Sequence, residues 1–239
     1  MDNVPLRSLL IPSIIIPLTN QAFLTFLDIC LFALMPLFYS TPNYLGGLGF
    51  TPTEIGSWMA LFGVVDGLFQ ALFFAKIVDR LGPKRTFCIG VSCFIPIMVI
   101  FPVMSWLVAS RGVDYMVKVA LLCQLVLTAC WDISLGEQYA AHPIHESYGL
   151  PPSGSIFMYV TASAPANNVL GAINGMGQMS ISIAHAVGPM TAASIFAFSK
   201  DHDILGGHAV FVILCVPVVG MLWLASHLPE ELHNRDGEE

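Results

Sequence analysis

Six apolar stretches, each close to the length of a membrane-crossing helix, decide what this chain can fold into. Five are plain, at 14–38, 55–75, 87–109, 169–198 and 209–228. A sixth, 116–134, is shorter and turns polar near its end. About 20 apolar residues in helical form cross the hydrocarbon of a bilayer. The chain is 56% hydrophobic and 10% charged, whereas soluble domains carry about a quarter charged residues. A water-soluble core of this size has no room for so much apolar side chain, so lipid must be the solvent. The expected fold class is an all-α polytopic membrane protein. Its plan is an N-terminal segment 1–13, a six-span domain 14–228 with a polar insert at 135–155, and an acidic tail 229–239.

Six spans place both termini on one side, and the positive-inside rule chooses the side. With the N-terminus inside, Arg7, Lys76, Arg80, Lys84, Arg85 and Arg235 are cytoplasmic, against Arg111, Lys118 and Lys200 outside. The apolar run after Arg7 is too long for a signal peptide. Tyr39, Tyr44, Trp58, Trp106 and Tyr115 fall near the expected interfaces, as aromatic anchors do. Pro36, Pro96, Pro102, Pro189 and Pro217 fall inside spans, where neighbouring helices re-satisfy the freed backbone groups. They read first as packing kinks and second as gating flexibility. Small residues four apart recur at Gly63/Gly67, Gly171/Gly175 and Ala184/Gly188, a pattern that predicts close helix packing.

The net charge of -7 and the lack of a basic tract exclude a nucleic-acid partner. The six cysteines lie in apolar stretches without a C-x-x-C pair, so they read as small packing residues. His142, His145 and Glu146 lack zincin spacing and sit among prolines, so no metal site is expected there. No cofactor is expected.

Four of the nine basic residues cluster in AKIVDRLGPKR at 75–85, between two spans. This resembles the loop signature of the major facilitator superfamily, roughly G-x-x-x-D-[RK]-x-G-x-[RK]-[RK]. Asp79, Arg80, Gly82, Lys84 and Arg85 fit it, while Ala75 replaces the leading glycine. The resemblance implies a conformational gate: Asp79 caps or pairs with a facing helix end, and the basic residues bridge the cytoplasmic face around Gly82. The bland alternative is a basic loop that only sets topology, and both roles fit together.

A second stretch, 163–199, is similar to the eleventh helix and its entry loop in drug:proton-antiporter-like facilitators. The zinc-induced-facilitator-like branch of plants and fungi is nearest, with a fungal origin expected. Pro165, Leu170, Gly171, Asn174, Gly175, Gln178, Gly188 and Pro189 carry the match. Many family members have an arginine three residues before the Gly-Pro, where this chain has His185, a titratable group in place of a fixed charge. Together the two matches imply a six-helix bundle equivalent to the C-terminal half of a twelve-helix carrier. The family's tenth helix would run unbroken where LGEQYAAHPIHESYGLPPSG intervenes at 135–154. This insert reads either as a retained intron or as a real loop, with 156–164 then a short interfacial or re-entrant piece.

Ionisable groups inside spans are expensive and default to functional hypotheses. Asp28, Asp66, Asp132 and His185 qualify. Asp66 precedes Asp79 by 13 residues, roughly 20 Å along a helix. These four are the candidates for proton coupling. The competing reading is that each aspartate only hydrogen-bonds a neighbouring helix. Asn174, Gly175, Gln178, Gly188 and Pro189 are candidates for cavity lining or helix packing.

The resemblance implies secondary active transport of a small molecule, probed as proton-coupled alternating access, with the bilayer and a second six-helix half as partners. The alternative is a truncated, non-transporting membrane protein that at most assembles with a full-length relative. An enzyme is not expected, since the chain lacks H-E-x-x-H, G-x-S-x-G and paired-aspartate motifs. Plasma and vacuolar membranes are not distinguished by these features.

Overall fold

The computed structural model describes residues 11–135 and 167–227. They form six long helices and no strand among the described residues: α1 Pro12–Ser40, α2 Pro52–Leu81, α3 Pro83–Arg111, α4 Tyr115–Leu135, α5 Asn167–Asp201 and α6 Ala209–Ser226. A short 3-10 turn, Asn43–Leu45, precedes α2. All six are long and apolar enough to cross a membrane, so the expected all-α polytopic class holds. The insert, apart from Leu135, the acidic tail and most of segment 1–13 lie outside the described residues.

The helices start where their sequences say they should. Proline occupies the first helical position of α1, α2 and α3, where its missing N–H costs nothing. Thr51 and Glu54 cap α2 reciprocally: Glu54 N–H donates to Thr51 Oγ1 at 3.4 Å, and Thr51 N–H donates to Glu54 Oε2 at 2.8 Å. One residue, Gly82, ends α2 and begins α3. Its φ of 78° and ψ of 158° lie in a region open essentially to glycine alone. The prolines at 36, 96, 102, 189 and 217 all lie within continuous helices.

Packing follows alternating three- and four-residue steps. On α3 one buried row runs through Phe87, Val91, Phe94, Met98, Phe101, Ser105 and Val108, and on α1 one runs through Leu24, Leu27, Leu31, Leu34 and Phe38. Such spacing keeps one seam facing a neighbour along the whole helix. The seams meet in an aromatic knot. Phe101 stacks on Phe211 with centroids 4.7 Å apart, and Phe38 stands edge-on to Phe101 at 5.1 Å. That knot joins α1, α3 and α6, each ring pair contributing about 0.5–1.5 kcal/mol beyond its buried area.

The opposite faces are apolar too. Ile89, Val99, Trp106, Val216, Val219 and Trp223 are all exposed, an arrangement suited to lipid and costly in water. α2 and α5 are the helices least covered by the rest of the bundle.

Two expectations are corrected here. Tyr39 is no interfacial anchor. It is buried, and its hydroxyl donates to Gln124 Oε1 at 3.0 Å, because its register on α1 points it at α4. The glycine pairs do not all pack: Gly63, Gly171 and Gly175 have open space where a Cβ would stand, because they face outward on α2 and α5. Gly188 does pack, since a Cβ there would lie 2.8 Å from Ile29 Cγ2, and Ala184 beside it is buried.

The two ends of the bundle differ. At the basic end, Lys84 Nζ donates to the Ser226 carbonyl at 3.0 Å and so reaches the C-terminus of α6. A cation suits the negative end of a helix. At the other end, Lys200 spans two loops: a Cβ on Gly207 would meet its Cδ at 2.8 Å, and one on Gly46 would meet its Nζ at 3.2 Å. Its ammonium lies 5.7 Å from the centre of the Phe196 ring.

Candidate functional site: a polar seam across three helices

Three helices carry polar residues at helical spacing on the faces they turn to one another. On α1 these are Thr25 and Asp28, with Gln21 one turn earlier lying against α5, where a Cβ on Gly177 would stand 3.0 Å from its Oε1; on α2, Asp66 and Gln70; on α4, Gln124, Thr128, Trp131 and Asp132. All are buried except Asp28, which is half-buried. Steps of three and four residues align each set into one stripe, and α4 packs against both α1 and α2.

Asp28 accepts a hydrogen bond from the Trp131 indole N–H at 3.0 Å, tying α1 to α4. Asp66 lies one turn before Gln70, whose side chain is its electrostatic neighbour on α2. Its Oδ1 is buried without a hydrogen bond, as are Gln70 Oε1, Thr25 Oγ1 and Gln124 Nε2. Both Asp28 and Asp66 lie within electrostatic reach of Asp132. Three carboxylates from three helices thus share one low-dielectric region, where the charge state of each depends on the others.

Above the carboxylates, Met35, Tyr39, Trp58, Phe62, Gln124 and Thr128 help enclose a cavity of about 20 Å³. That is room for one water. The unpaired Gln124 amide nitrogen and the Thr128 hydroxyl are polar groups at its wall. Thr128 Oγ1 itself donates to the Gln124 carbonyl at 2.9 Å. A seam of this kind can hold protons, water or a polar ligand inside the membrane.

Of the four ionisable candidates, Asp28 and Asp66 lie within electrostatic reach of Asp132. His185 stands apart on an exposed face of α5. The packing candidates divide as well. Gly188 lies at the α1/α5 contact, where Cys30 Sγ also donates to its carbonyl at 3.5 Å. Asn174 is half-buried with an unpaired Oδ1, while Gly175, Gln178 and Pro189 are exposed. The expected charged loop shrinks to Gly82 alone: Asp79 and Arg80 end α2 and Arg85 begins α3, all three exposed at the basic end, far along these helices from the carboxylates. Among the described residues no group of three or more His, Cys, Asp or Glu side chains is placed to hold a metal ion.

Sequence reasoning missed Trp131 and Tyr39 as members of the seam. Their polar atoms are single N–H and O–H groups on otherwise apolar rings. The available signal was spacing: Trp131 adjoins Asp132 and follows Gln124 by seven residues.

No protein-family model matches the chain, and no solved structure does. Named relatives do. The chain is 25% identical over 218 residues, 86% of its length, to the major facilitator superfamily multidrug transporter mfsB of Aspergillus fumigatus. It is 26% identical over 224 residues, 91% of its length, to the major facilitator-type transporter psiT2 of Psilocybe cubensis. It is 25% identical over 207 residues, 84% of its length, to the efflux pump azaK of Aspergillus niger. The matches cover 32%, 40% and 39% of those proteins, so the chain spans well under half the length of the curated relatives it matches. With six membrane-length helices and similarity along most of its own length, the chain is a multi-pass membrane protein similar to fungal major facilitator superfamily transporters.

Proposed function

We propose that this chain is the C-terminal six-helix half of a proton-coupled carrier of small molecules that works by alternating access. The observation that carries the reading is the placement of Asp28, Asp66 and Asp132 inside membrane-length helices, with Asp132 within electrostatic reach of the other two and the Trp131 indole tying Asp28 to α4. Membrane-embedded carboxylates that face a bundle interior mark ion and proton pathways. Coupling needs a carboxylate that is protonated in one access state and ionised in the other. Relatives described as a multidrug transporter and an efflux pump support a small-molecule substrate.

In this reading the substrate sits near the bilayer midplane between two halves that rock around it. The bare glycines on the exposed faces of α2 and α5 support those faces as the ones a second half covers. An apolar hollow of about 440 Å³ between α1 and α5, lined by Phe23, Phe26, Ile183 and Val187 among others, adjoins the same side. Asp79, Arg80, Gly82, Lys84 and Arg85 then serve as the gate at the basic end. The contact from Lys84 to the end of α6 supports a role in fixing one conformation.

The test is proton-gradient-driven movement of a fluorescent drug in membrane vesicles. The chain is assayed alone and with a separately expressed N-terminal six-helix half of a relative. The expected result is gradient-dependent flux that falls at least tenfold in Asp66→Asn and Asp132→Asn at equal membrane abundance. Flux that is absent in both arrangements, or untouched by both substitutions, sinks the reading.

A further inference from the structure

The bundle contains a chemical pair that neither the seam nor the gate uses. α3 and α4 approach so closely at Gly90 that a Cβ there would lie 3.1 Å from the Cys130 carbonyl oxygen and 3.0 Å from Ser134 Cβ. One turn further along α3, Phe94 packs on Trp131 with ring centroids 4.7 Å apart. Cys93 adjoins Phe94, and Cys130 adjoins Trp131. Backbone contact on one side and ring contact on the other put Cys93 and Cys130 on adjoining turns of α3 and α4, within electrostatic reach of each other. Both are free and half-buried. Of the other four cysteines, Cys30 is buried against the Gly188 carbonyl, Cys88 and Cys215 are half-buried, and Cys123 is exposed. No other thiol pair meets among the described residues, which include all six cysteines.

A disulfide needs two backbones near enough, with side chains aimed at each other. The glycine-mediated approach at Gly90 supplies the first condition, and the Phe94–Trp131 contact, which sets the two cysteines on adjoining turns of the same helix pair, bears on the second. We propose that Cys93 and Cys130 form a dithiol modification site that a membrane-soluble hydroperoxide closes to an interhelical disulfide. One sulfur attacks the peroxide oxygen, giving a sulfenic acid and releasing an alcohol. The second sulfur then displaces hydroxide from that sulfenic sulfur, and the departing oxygen leaves as water with the second thiol's proton. Two thiols are oxidised and one hydroperoxide is reduced. The oxidant must reach the pair through hydrocarbon, because both cysteines lie well inside candidate membrane spans.

The position gives the modification a consequence. Cys130 directly precedes Trp131, whose indole holds Asp28, and Asp132 follows. A bridge to α3 would pin the turn of α4 that carries both seam residues.

The experiment uses the full chain in membranes treated with cumene hydroperoxide, then unfolded in SDS and labelled with maleimide-polyethylene glycol. With six cysteines, the untreated chain takes six adducts. The expected count after treatment is four, restored to six by dithiothreitol. Peptide mass spectrometry of the wild-type chain, which depends on no variant folding, is expected to show one reducible cross-link joining the Cys93 and Cys130 peptides. The Cys93→Ser/Cys130→Ser double variant should keep all four of its remaining adducts. Six adducts after treatment, a cross-link through Cys88 or Cys215, or a two-adduct loss that persists in the double variant overturns the proposal.

Discussion

At the scale of single residues, the hydrogen bond from Trp131 to Asp28 is the contact most open to direct test. It spans two helices, and such bonds contribute roughly 0.6–2 kcal/mol between membrane helices. Trp131→Phe keeps the ring against Phe94 and deletes only the donor. It should lower stability in detergent micelles by about 1 kcal/mol, read from thermal unfolding, with helix content unchanged. His208 offers a second test, at the mouth of α6 and outside the spans. Burial first, and the neighbouring Lys200 second, hold its imidazole below its usual pKa. The folded state therefore binds fewer protons than the unfolded one. The stability this confers is fully present above pH of about 6.5 and is lost as the pH falls from there toward the lower folded value. Melting temperature should drop on acidification from pH 7.5 to 5.5, and His208→Gln should flatten that dependence.

At the scale of elements, identical glycines have opposite meanings according to the face they occupy. Gly188 sits against Ile29, so Gly188→Leu must force α1 and α5 apart, at about 1–3 kcal/mol. Gly63 faces open space, so Gly63→Leu should change the stability of the isolated chain by no more than about 0.5 kcal/mol. Unfolding the two variants side by side in micelles checks the contrast; equal destabilisation would refute the packing described. This difference was not legible in the sequence, where both glycines belong to the same small-residue pattern. Spacing says which residues share a face of one helix, but it does not say which faces meet another helix. For the same reason Tyr39 read as a surface anchor, and the cysteines at 93 and 130, 37 positions apart, gave no sign of touching. The helices themselves were legible almost throughout, because a membrane demands long apolar runs and proline, glycine and threonine mark where they start and stop. Three of the seam's aspartates were legible too, since charge inside an apolar run stands out wherever its side chain points.

At the scale of the whole molecule, the six membrane-length helices among the described residues and the lopsided basic residues make a prediction about sidedness. Epitope tags at both termini should be reachable by antibody only after the membrane is permeabilised. Labelling of one tag but not the other in intact cells would mean an odd number of crossings. The same architecture also bears on how the chain is made and how it moves. Because Gly82 alone separates α2 from α3, no slack exists between these two rods. They must enter the bilayer as a hairpin, since neither can settle at its own depth while the other waits in water. Once inserted, they act as a crank. A rise of α2 by one turn drags the start of α3 by the same amount, and through Lys84 it tugs on the end of α6. Motion anywhere along α2, including at Asp66, is thereby carried to the far side of the bundle by a joint one residue long.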